Sequence, residues 1–314
     1  MIISASRRTD IPAFYHHWFM NRIREGFVLT RNPFDDKQIS RVSLLKEDVD
    51  AIVFWTRNAQ HMHKYLPELD GMGHNYYFQY TITGFPRILD AHTPSPMIAV
   101  ADFSKLSKSV GAGKVVWRYD PILLCEQLPV TEHKRLFAKI AEMLEGKTER
   151  VVISFADLYK KTEDNLKKIS GINYTDITAQ KELMLDLVGE MSLVAKRHGM
   201  EILTCAEDVD LSQTGILKGK CIDDRLLEKE FGLRFDGKKD LGQRKECGCI
   251  KSIDIGQYNT CLHGCVYCYA TANKEAALRN KERHDPDSPV LVGSIRGIDK
   301  NLLLPPIKVQ QDLF

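Results

Sequence analysis

The sequence predicts an α/β fold with a parallel sheet, wound either as an open doubly wound sheet or as a full or partial (β/α) barrel. Three observations favour this class. Short runs rich in β-branched and aromatic residues recur along the 314 residues, segments of helical period separate them, and polar side chains follow the ends of the runs. Alternation of strand and helix is typical of parallel sheets with right-handed crossovers. The content of 43% apolar and 27% charged residues indicates a globular chain rather than a disordered one.

The predicted strands are short and apolar, as expected of buried strands. They are Ile2 to Ser4, Ala51 to Thr56, Tyr76 to Ile82, Val115 to Tyr119, Val151 to Phe155, Glu201 to Thr204 and Ser252 to Ile255. The clearest helices are Thr131 to Leu144, with Thr131 as N-cap and a stop at Gly146, and Asp176 to Arg197, which His198-Gly199 closes. A further helix is expected over Tyr269 to Asn280.

Polar and charged residues come directly after the predicted strands, at the edge where parallel α/β folds place their sites. They are Ser6 to Asp10, Arg57-Asn58, Thr81 to Thr83, Arg118 to Asp120, Ser154 to Asp157, and Cys205, Glu207 and Asp208. The candidate catalytic residues at the mouth of the site are Arg7, Arg8, Asp10, Arg118 and Asp120, with Arg57 beside them. Arginine suits a phosphate or carboxylate because its donors form a planar fork. Helix caps and ion pairs at the rim are the alternative roles.

The most specific pattern is the run Cys261-Leu262-His263-Gly264-Cys265-Val266-Tyr267-Cys268. Its spacing lets a single loop point three thiolates at one inorganic core. Three ligands leave one iron of a [4Fe-4S] cubane without a protein ligand, and that iron can chelate the amino and carboxylate groups of a small molecule. Zinc usually needs two separated ligand pairs or a fourth ligand, so the triplet favours iron and sulfur.

CxxxCxxC with an aromatic residue before the last cysteine resembles the signature of radical S-adenosylmethionine enzymes. The run from Gly256 to Ala270 is similar to the cluster loop of the spore photoproduct lyase branch, and Arg118-Tyr119-Asp120-Pro121-Ile122 is similar to an Arg-Phe-Asp-Pro-Ile segment of that branch. The resemblance implies a [4Fe-4S] cluster on Cys261, Cys265 and Cys268. It also implies S-adenosylmethionine as cofactor, with Tyr267, Gly264 and Ser154 as cofactor-binding residues. A donor such as flavodoxin or ferredoxin would supply the electron that cleaves this cofactor to a 5'-deoxyadenosyl radical.

The order of the motif along the chain differs from that of the superfamily, in which the cysteines follow the first strand. Here they follow the predicted strand Ser252 to Ile255. We therefore expect a circularly permuted, TIM-barrel-like partial barrel over residues 1–283, in which the cluster segment 247–270 packs beside the strand Ile2 to Ser4. This arrangement resembles a bacterial and archaeal family described as a domain of unknown function, DUF1848. Ser4-Ala5-Ser6-Arg7-Arg8 does not match the superfamily's Gly-Gly-Glu segment, which binds the methionine amine.

The remaining cysteines suggest a second site. Cys205, Cys221, Cys247 and Cys249 have the number of ligands that a closed, auxiliary iron-sulfur cluster needs. Ordinary thiols and a zinc site are the alternatives, because so long a separation in sequence says nothing about proximity. Cys125 stands alone after a strand and is expected to be a small buried apolar residue.

Two features bear on partners. Basic residues crowd the approach to the cysteines: Lys218, Lys220, Arg225, Lys229, Arg234, Lys238, Lys239, Arg244, Lys245 and Lys251. They form either a solvated surface or an attraction for a phosphate-bearing partner. Residues 284–314 are predicted to form an extended tail. Its end, Gln310-Gln311-Asp312-Leu313-Phe314, resembles the bacterial peptide that docks on the replication sliding clamp, with an unremarkable terminus as the alternative.

These observations leave three classes of function. The first is a radical S-adenosylmethionine enzyme acting on nucleic acid in repair or modification. The second is an iron-sulfur electron carrier or redox sensor, and the third is a zinc-stabilised nucleic-acid-binding module. No signal-peptide h-region and no apolar stretch of bilayer length occur in the sequence, so the expected location is the cytoplasm, without a membrane partner. In that reducing compartment, metal ligation suits the cysteines better than disulfide bonding.

Overall fold

The computed structural model describes residues 1–157, 160–169 and 173–304. Its strands are β1 (Ile2–Ala5), β2 (Phe27–Asn32), β3 (Asp35–Ser43), β4 (Ala51–Thr56), β5 (Tyr76–Thr81), β6 (Val115–Ile122), β7 (Leu124–Cys125), β8 (Arg150–Phe155), β9 (Tyr174–Thr175), β10 (Glu201–Cys205), β11 (Leu217–Gly219) and β12 (Ile253–Asp254). Its helices are α1 (Ile11–Phe14), α2 (His16–Glu25), α3 (Leu66–Gly71), α4 (Pro96–Val110), α5 (Val130–Leu144), α6 (Lys160–Lys167), α7 (Lys181–Arg197), α8 (Asp224–Phe231) and α9 (Lys274–Glu282).

Across the described ranges, eight strands form one parallel sheet in the order β11-β10-β8-β6-β5-β4-β1-β12. From β1 to β11 each new strand is added on the same side, and the direction never reverses. β12, the last strand in sequence, pairs with β1 on its other side, with Ile3 opposite Ile253 and Ser4 opposite Asp254. The predicted parallel α/β fold is confirmed, and so is the place of the C-terminal strand beside the N-terminal one. The sheet is not closed, since β11 and β12 form its two edges.

The two faces of this sheet are buried in different ways. One face packs on the helices and carries the larger apolar core, including Ile3, Phe54, Phe78, Trp117 and Ile153. The opposite face, here called the cysteine face, carries Ile2, Val53, Tyr77, Val116 and Val152, against which Cys221, Ile222, Leu226, Leu227, Cys247, Cys249 and Ile250 pack. Strands that are covered on both sides have nearly continuous apolar sequences. This explains why these runs could be recognised from the sequence.

Farther along the strands, the cysteine face becomes polar. Since side chains alternate along a strand, the residues that follow in this face are Ser4, Trp55, Gln79, Arg118, Ser154 and Cys205. They lie toward the carboxyl ends of parallel strands, the edge at which such folds bind ligands. The fold therefore gathers the polar strand ends on one side of the sheet.

Three predicted helix boundaries were wrong. Helix α5 begins at Val130 rather than with Thr131 as N-cap, because Pro129 is fixed in an extended conformation and its carbonyl accepts the amide of His133 at 3.1 Å. The segment from Asp176 divides into a 3-10 helix, Ile177–Ala179, and α7. The helix after the cysteines begins only at Lys274, where the Asn273 side chain caps the amide of Ala276.

The antiparallel hairpin β2–β3 was not predicted, and it changes the picture of the C-terminal segment. Val290 bridges to Leu29, and Phe27, Leu29 and Val290 form a small apolar cluster with Ile298 and Leu302 against it. Residues 284–304, predicted as tail, thus pack on the hairpin and contain a short 3-10 helix. The clamp-like peptide Gln310 to Phe314 lies outside the described residues. No helix in the described ranges combines the length and the apolar character that crossing a membrane requires.

The packing of α5 on the sheet gives a direct test of the fold. Phe137 is fully buried and stacks on Trp117 with ring centroids 4.8 Å apart. We expect Phe137→Ala to lower the free energy of unfolding by about 3–5 kcal/mol, since it leaves a cavity between helix and sheet. Phe34, which is 95% exposed, is the matched control, and Phe34→Ala should change that energy by less than about 0.5 kcal/mol. Urea denaturation measures both, and equal losses would contradict the described packing.

Candidate functional site

The last strand of the sheet is joined to the first by one carboxylate, that of Asp254. It accepts hydrogen bonds from the Ser4 and Ser6 hydroxyls at 2.9 and 2.6 Å and from the Arg7 amide at 2.8 Å. The Arg8 guanidinium adds bonds from Nε and Nη2, each 3.1 Å long. Arg8, a candidate catalytic residue, therefore forms an ion pair at the rim. Asp254 was missed from the sequence, although a charged residue inside an apolar strand was a usable signal.

The cysteine loop after β12 is held against the segment that follows β1. Thr9 Oγ1 accepts the Gln257 amide at 3.0 Å and lies 2.6 Å from Thr260 Oγ1. Tyr15 donates its hydroxyl hydrogen to the Thr260 carbonyl at 2.9 Å. A Cβ at Gly256 would overlap the Ser6 side chain, so only glycine permits this close approach. The loop's position is thus fixed before its first cysteine.

Asp10 connects three parts of the site. Its Oδ1 accepts the Ala13 amide at 3.0 Å, which caps α1, and the Thr56 hydroxyl at 2.8 Å at the end of β4. Its Oδ2 lies 2.7 Å from His263 Nε2 and accepts the Arg57 amide at 2.8 Å. Both carboxylate oxygens are therefore engaged within the protein. The structure gives this candidate catalytic residue a positioning role, since it aligns the cysteine loop with β1 and β4.

A second buried carboxylate, Asp90, faces the middle cysteine. Arg57 Nη1 donates to Asp90 Oδ1 at 2.8 Å, to Cys265 Sγ at 3.0 Å and to Tyr267 Oη at 3.0 Å. Tyr267 in turn donates to Asp90 at 2.6 Å. Burial acts to raise the pKa of Asp90, but the charge of Arg57 and the hydrogen bonds outweigh it, so the pKa is lowered. The carboxylate thus remains charged and holds Arg57 against the cysteine sulfur.

Two of the predicted cofactor-binding residues serve the shape of the loop. Tyr267 is buried, and its hydroxyl is occupied by Asp90 and Arg57. Gly264 has φ +68 and turns the backbone beside His92 in a left-handed conformation that favours glycine. Asp90, which lies in an irregular segment after β5, gave no sequence signal that could have identified it.

The three loop thiols Cys261, Cys265 and Cys268 lie close enough to interact electrostatically. Burial raises the pKa of Cys261 and of Cys265, so both are neutral thiols unless a cation displaces their protons. Within the described residues, no three His, Cys, Asp or Glu side chains surround one point as the ligands of a single metal ion do. The ligands of a cubane bind separate iron atoms instead. Three thiols of one loop are donors that a cubane can use, one for each of three iron atoms.

The cysteine face brings Arg118, Asp120 and Ser154 together beneath the rim. Arg118 pairs with Asp120 through Nε at 3.1 Å and through Nη2, and Ser154 donates to Asp120 at 3.3 Å. The guanidinium groups of Arg7 and Arg118 lie 5.2 and 5.3 Å from the Trp55 ring centroid. These predicted residues form one cationic, aromatic surface next to the loop, although their sequence positions are far apart.

The other four cysteines also meet on this face. Cys205 Sγ lies 2.7 Å from Cys221 Sγ, and Cys221, Cys247 and Cys249 belong to one buried cluster against which Cys205 packs. Hydrogen bonds from Cys221 and Cys247, helped by Arg7, lower the pKa of Cys249. Cys125 is buried in the main core, as expected.

Most of the basic residues before the loop have acidic partners. The ion pairs are Lys220 with Asp224, Arg225 with Asp223, Lys229 with Glu149, Arg234 with Glu228, Lys238 with Asp236, and Arg244 with Asp157. Lys239 donates to the Lys245 carbonyl at 2.6 Å. This pairing favours a solvated, charge-balanced surface over a strongly cationic patch.

A family model described as a domain of unknown function, DUF1848, matches residues 2–270. The chain belongs to this family. The match begins in β1 and ends two residues after Cys268, so both cysteine groups of this DUF1848 protein lie inside it. It confirms the resemblance to DUF1848, whereas the likeness to radical S-adenosylmethionine enzymes stays a prediction. A search of the curated proteins found no match.

The hydrogen bonds of Asp10 predict that its replacement strongly destabilises the protein, although we assign Asp10 no part in a reaction. Asp10→Ala removes a carboxylate with four hydrogen bonds and leaves buried donors unpaired, so we expect the free energy of unfolding to fall by about 3 kcal/mol or more. The matched control is Asp186→Ala, because Asp186 is exposed and pairs only with Lys134; its loss should be below about 1 kcal/mol. Urea denaturation of the metal-free protein compares them. Similar losses would show that Asp10 does not anchor the loop.

Proposed function

We propose that this DUF1848 protein is a radical S-adenosylmethionine enzyme whose [4Fe-4S] cluster is bound by Cys261, Cys265 and Cys268. The observation that carries the proposal is the placement of a three-thiol loop at the carboxyl end of a parallel strand, beside a cationic and aromatic surface. Three thiolates leave one iron open for a small chelating ligand. A structural or electron-carrying cluster has no need of that open iron.

The winding of the sheet supports a permuted partial barrel. Strands are added in one direction from β1 to β11, and β12 takes the place before β1. In a doubly wound sheet the order reverses at a switch point, and no reversal occurs among the described strands. We infer that β12 and its loop act as the first βα unit of a barrel-like enzyme, although they come last in the chain.

When bound, the cluster and S-adenosylmethionine supply a 5'-deoxyadenosyl radical, with the electron coming from a donor such as flavodoxin or ferredoxin. The chain's own residues hold the loop and the substrate. Arg57 donates to Cys265 Sγ, and hydrogen bonds to ligand sulfur tune the potential of a cluster.

The substrate side of the site is formed by Arg7, Arg118 and Trp55. Two guanidinium groups next to an indole ring suit an anionic, planar group. We propose nucleic acid or a nucleotide-like molecule as substrate, in repair or modification within the cytoplasm. Because the lysine-rich segment is largely ion-paired, this choice depends on the arginines of the cysteine face. Docking of the C-terminal peptide on a sliding clamp remains part of the proposal.

The experiment is a cofactor-cleavage assay. The protein is purified without oxygen, reconstituted with iron and sulfide, reduced, and incubated with S-adenosylmethionine. We expect 5'-deoxyadenosine, quantified by mass spectrometry, from the wild type and from Cys125→Ala. Cys265→Ala should give only background, because Cys125 lies outside both cysteine groups and Cys265 is a proposed ligand.

Other outcomes would favour the other classes of function. A cluster that is bound and reduced without cleavage of S-adenosylmethionine, with nucleic acid present, would contradict the enzyme and favour an electron carrier. Zinc in place of iron would exclude both and favour a zinc-stabilised binding module.

A further inference from the structure

We infer that Cys205, Cys221, Cys247 and Cys249 form a second iron-sulfur site, closed by four thiolates, on the cysteine face of the sheet. This site uses none of the ligands of the proposed radical centre. It shares Arg7 and Arg118 with the substrate side of the proposed function, but its ligands and its test are its own.

The four thiols come from separate parts of the chain. Cys205 ends β10, Cys221 follows β11, and Cys247 and Cys249 lie in the irregular segment between α8 and β12. Cys205 Sγ lies 2.7 Å from Cys221 Sγ, and Cys221, Cys247 and Cys249 share one buried cluster against which Cys205 packs. Buried cysteines that only fill a core behave as small apolar residues and need no thiol neighbours. Convergence of four thiols from distant segments indicates a common ligand.

Two arginines face these sulfur atoms. Arg118 Nη1 donates to Cys221 Sγ at 2.8 Å, and the Arg7 guanidinium lies near Cys249. Arg118 also has Asp120 as a partner, but Arg7 Nη2 is buried and has no hydrogen-bond partner. A buried cationic donor without an acceptor is costly. The unpaired Arg7 donor therefore indicates an anionic hydrogen-bond acceptor next to the thiols.

An iron-sulfur cluster meets this requirement better than zinc. A cluster with four thiolates is anionic, and its inorganic sulfides accept hydrogen bonds. Zinc brings no acceptor of its own, and its cysteine ligands are usually separated by two to four residues. Here one glycine, Gly248, separates Cys247 from Cys249.

Entry of a cluster requires the thiols to move apart. Cys205 and Cys221, whose sulfur atoms are 2.7 Å apart, must separate, and Cys247 and Cys249 lie in a segment, residues 232–252, that forms no helix and no strand. Arg7 links the site to the cysteine loop, since its carbonyl accepts the Tyr269 hydroxyl at 2.7 Å, next to Cys268. With all four ligands supplied by the protein, this cluster has no open iron and binds no second S-adenosylmethionine.

The test is a metal count in variants that remove one site at a time. Wild type and Cys125→Ala, reconstituted without oxygen, should hold about eight iron and eight sulfide per chain. Cys261→Ala/Cys265→Ala/Cys268→Ala should retain about four of each, with an electron paramagnetic resonance spectrum that S-adenosylmethionine does not change. Cys247→Ser/Cys249→Ser should also retain about four, and its spectrum should respond to that compound.

Two outcomes of this experiment would contradict the second iron-sulfur site. A wild type with only about four iron, together with a triple variant that binds none, would overturn the second site while leaving the radical centre intact. One zinc per chain that survives in the triple variant but not in the double variant would also overturn it. Circular dichroism checks that each variant is folded, and the wild-type count decides the question if one is not.

Discussion

The site depends on the hydrogen bonds that residues Ser4 to Arg8 donate to the Asp254 carboxylate. One carboxylate in β12 is held by two serine hydroxyls, a backbone amide and the Arg8 guanidinium. Charge-assisted hydrogen bonds of this kind contribute roughly 1.5–3 kcal/mol each. They order a two-residue edge strand that could not stabilise itself by backbone pairing alone. Together with the contacts of Thr9 and Asp10, these hydrogen bonds place the cysteine loop beside Arg57 and Arg7.

The cysteine face has a composition that stability alone does not explain. Toward the amino ends of the strands this face is apolar and packed. Toward their carboxyl ends it holds two arginines, an aspartate and four thiols in partly or fully buried positions. Burying such groups costs free energy unless each is paired. Arg118 is paired with Asp120, but Arg7 keeps a buried donor without a partner. This arrangement is best explained by ligands that pair with these arginines and thiols.

The sequence was most informative where burial leaves a simple pattern. The strands β1, β4, β5, β6, β8 and β10 were recognisable because both of their faces are covered, and the cysteine spacing identified the loop. Partners from irregular segments were not recognisable: Asp90 precedes the loop by a long stretch, and its contact with Arg57 exists only in three dimensions. The contacts among Cys205, Cys221, Cys247 and Cys249 likewise depend on the pairing of β10 with β11. The start of helix α5 was predicted wrongly because Pro129, and not Thr131, occupies the N-cap position.

The central claim is that the loop of Cys261, Cys265 and Cys268 holds a cluster with one open iron. Electron-nuclear double resonance on the reduced, reconstituted protein tests it directly, with S-adenosylmethionine labelled with ¹⁵N at the methionine amino group. We expect a hyperfine coupling between that nitrogen and the cluster in the wild type and in Cys247→Ser/Cys249→Ser. A reduced cluster in the loop that shows no coupling to the labelled nitrogen would contradict it.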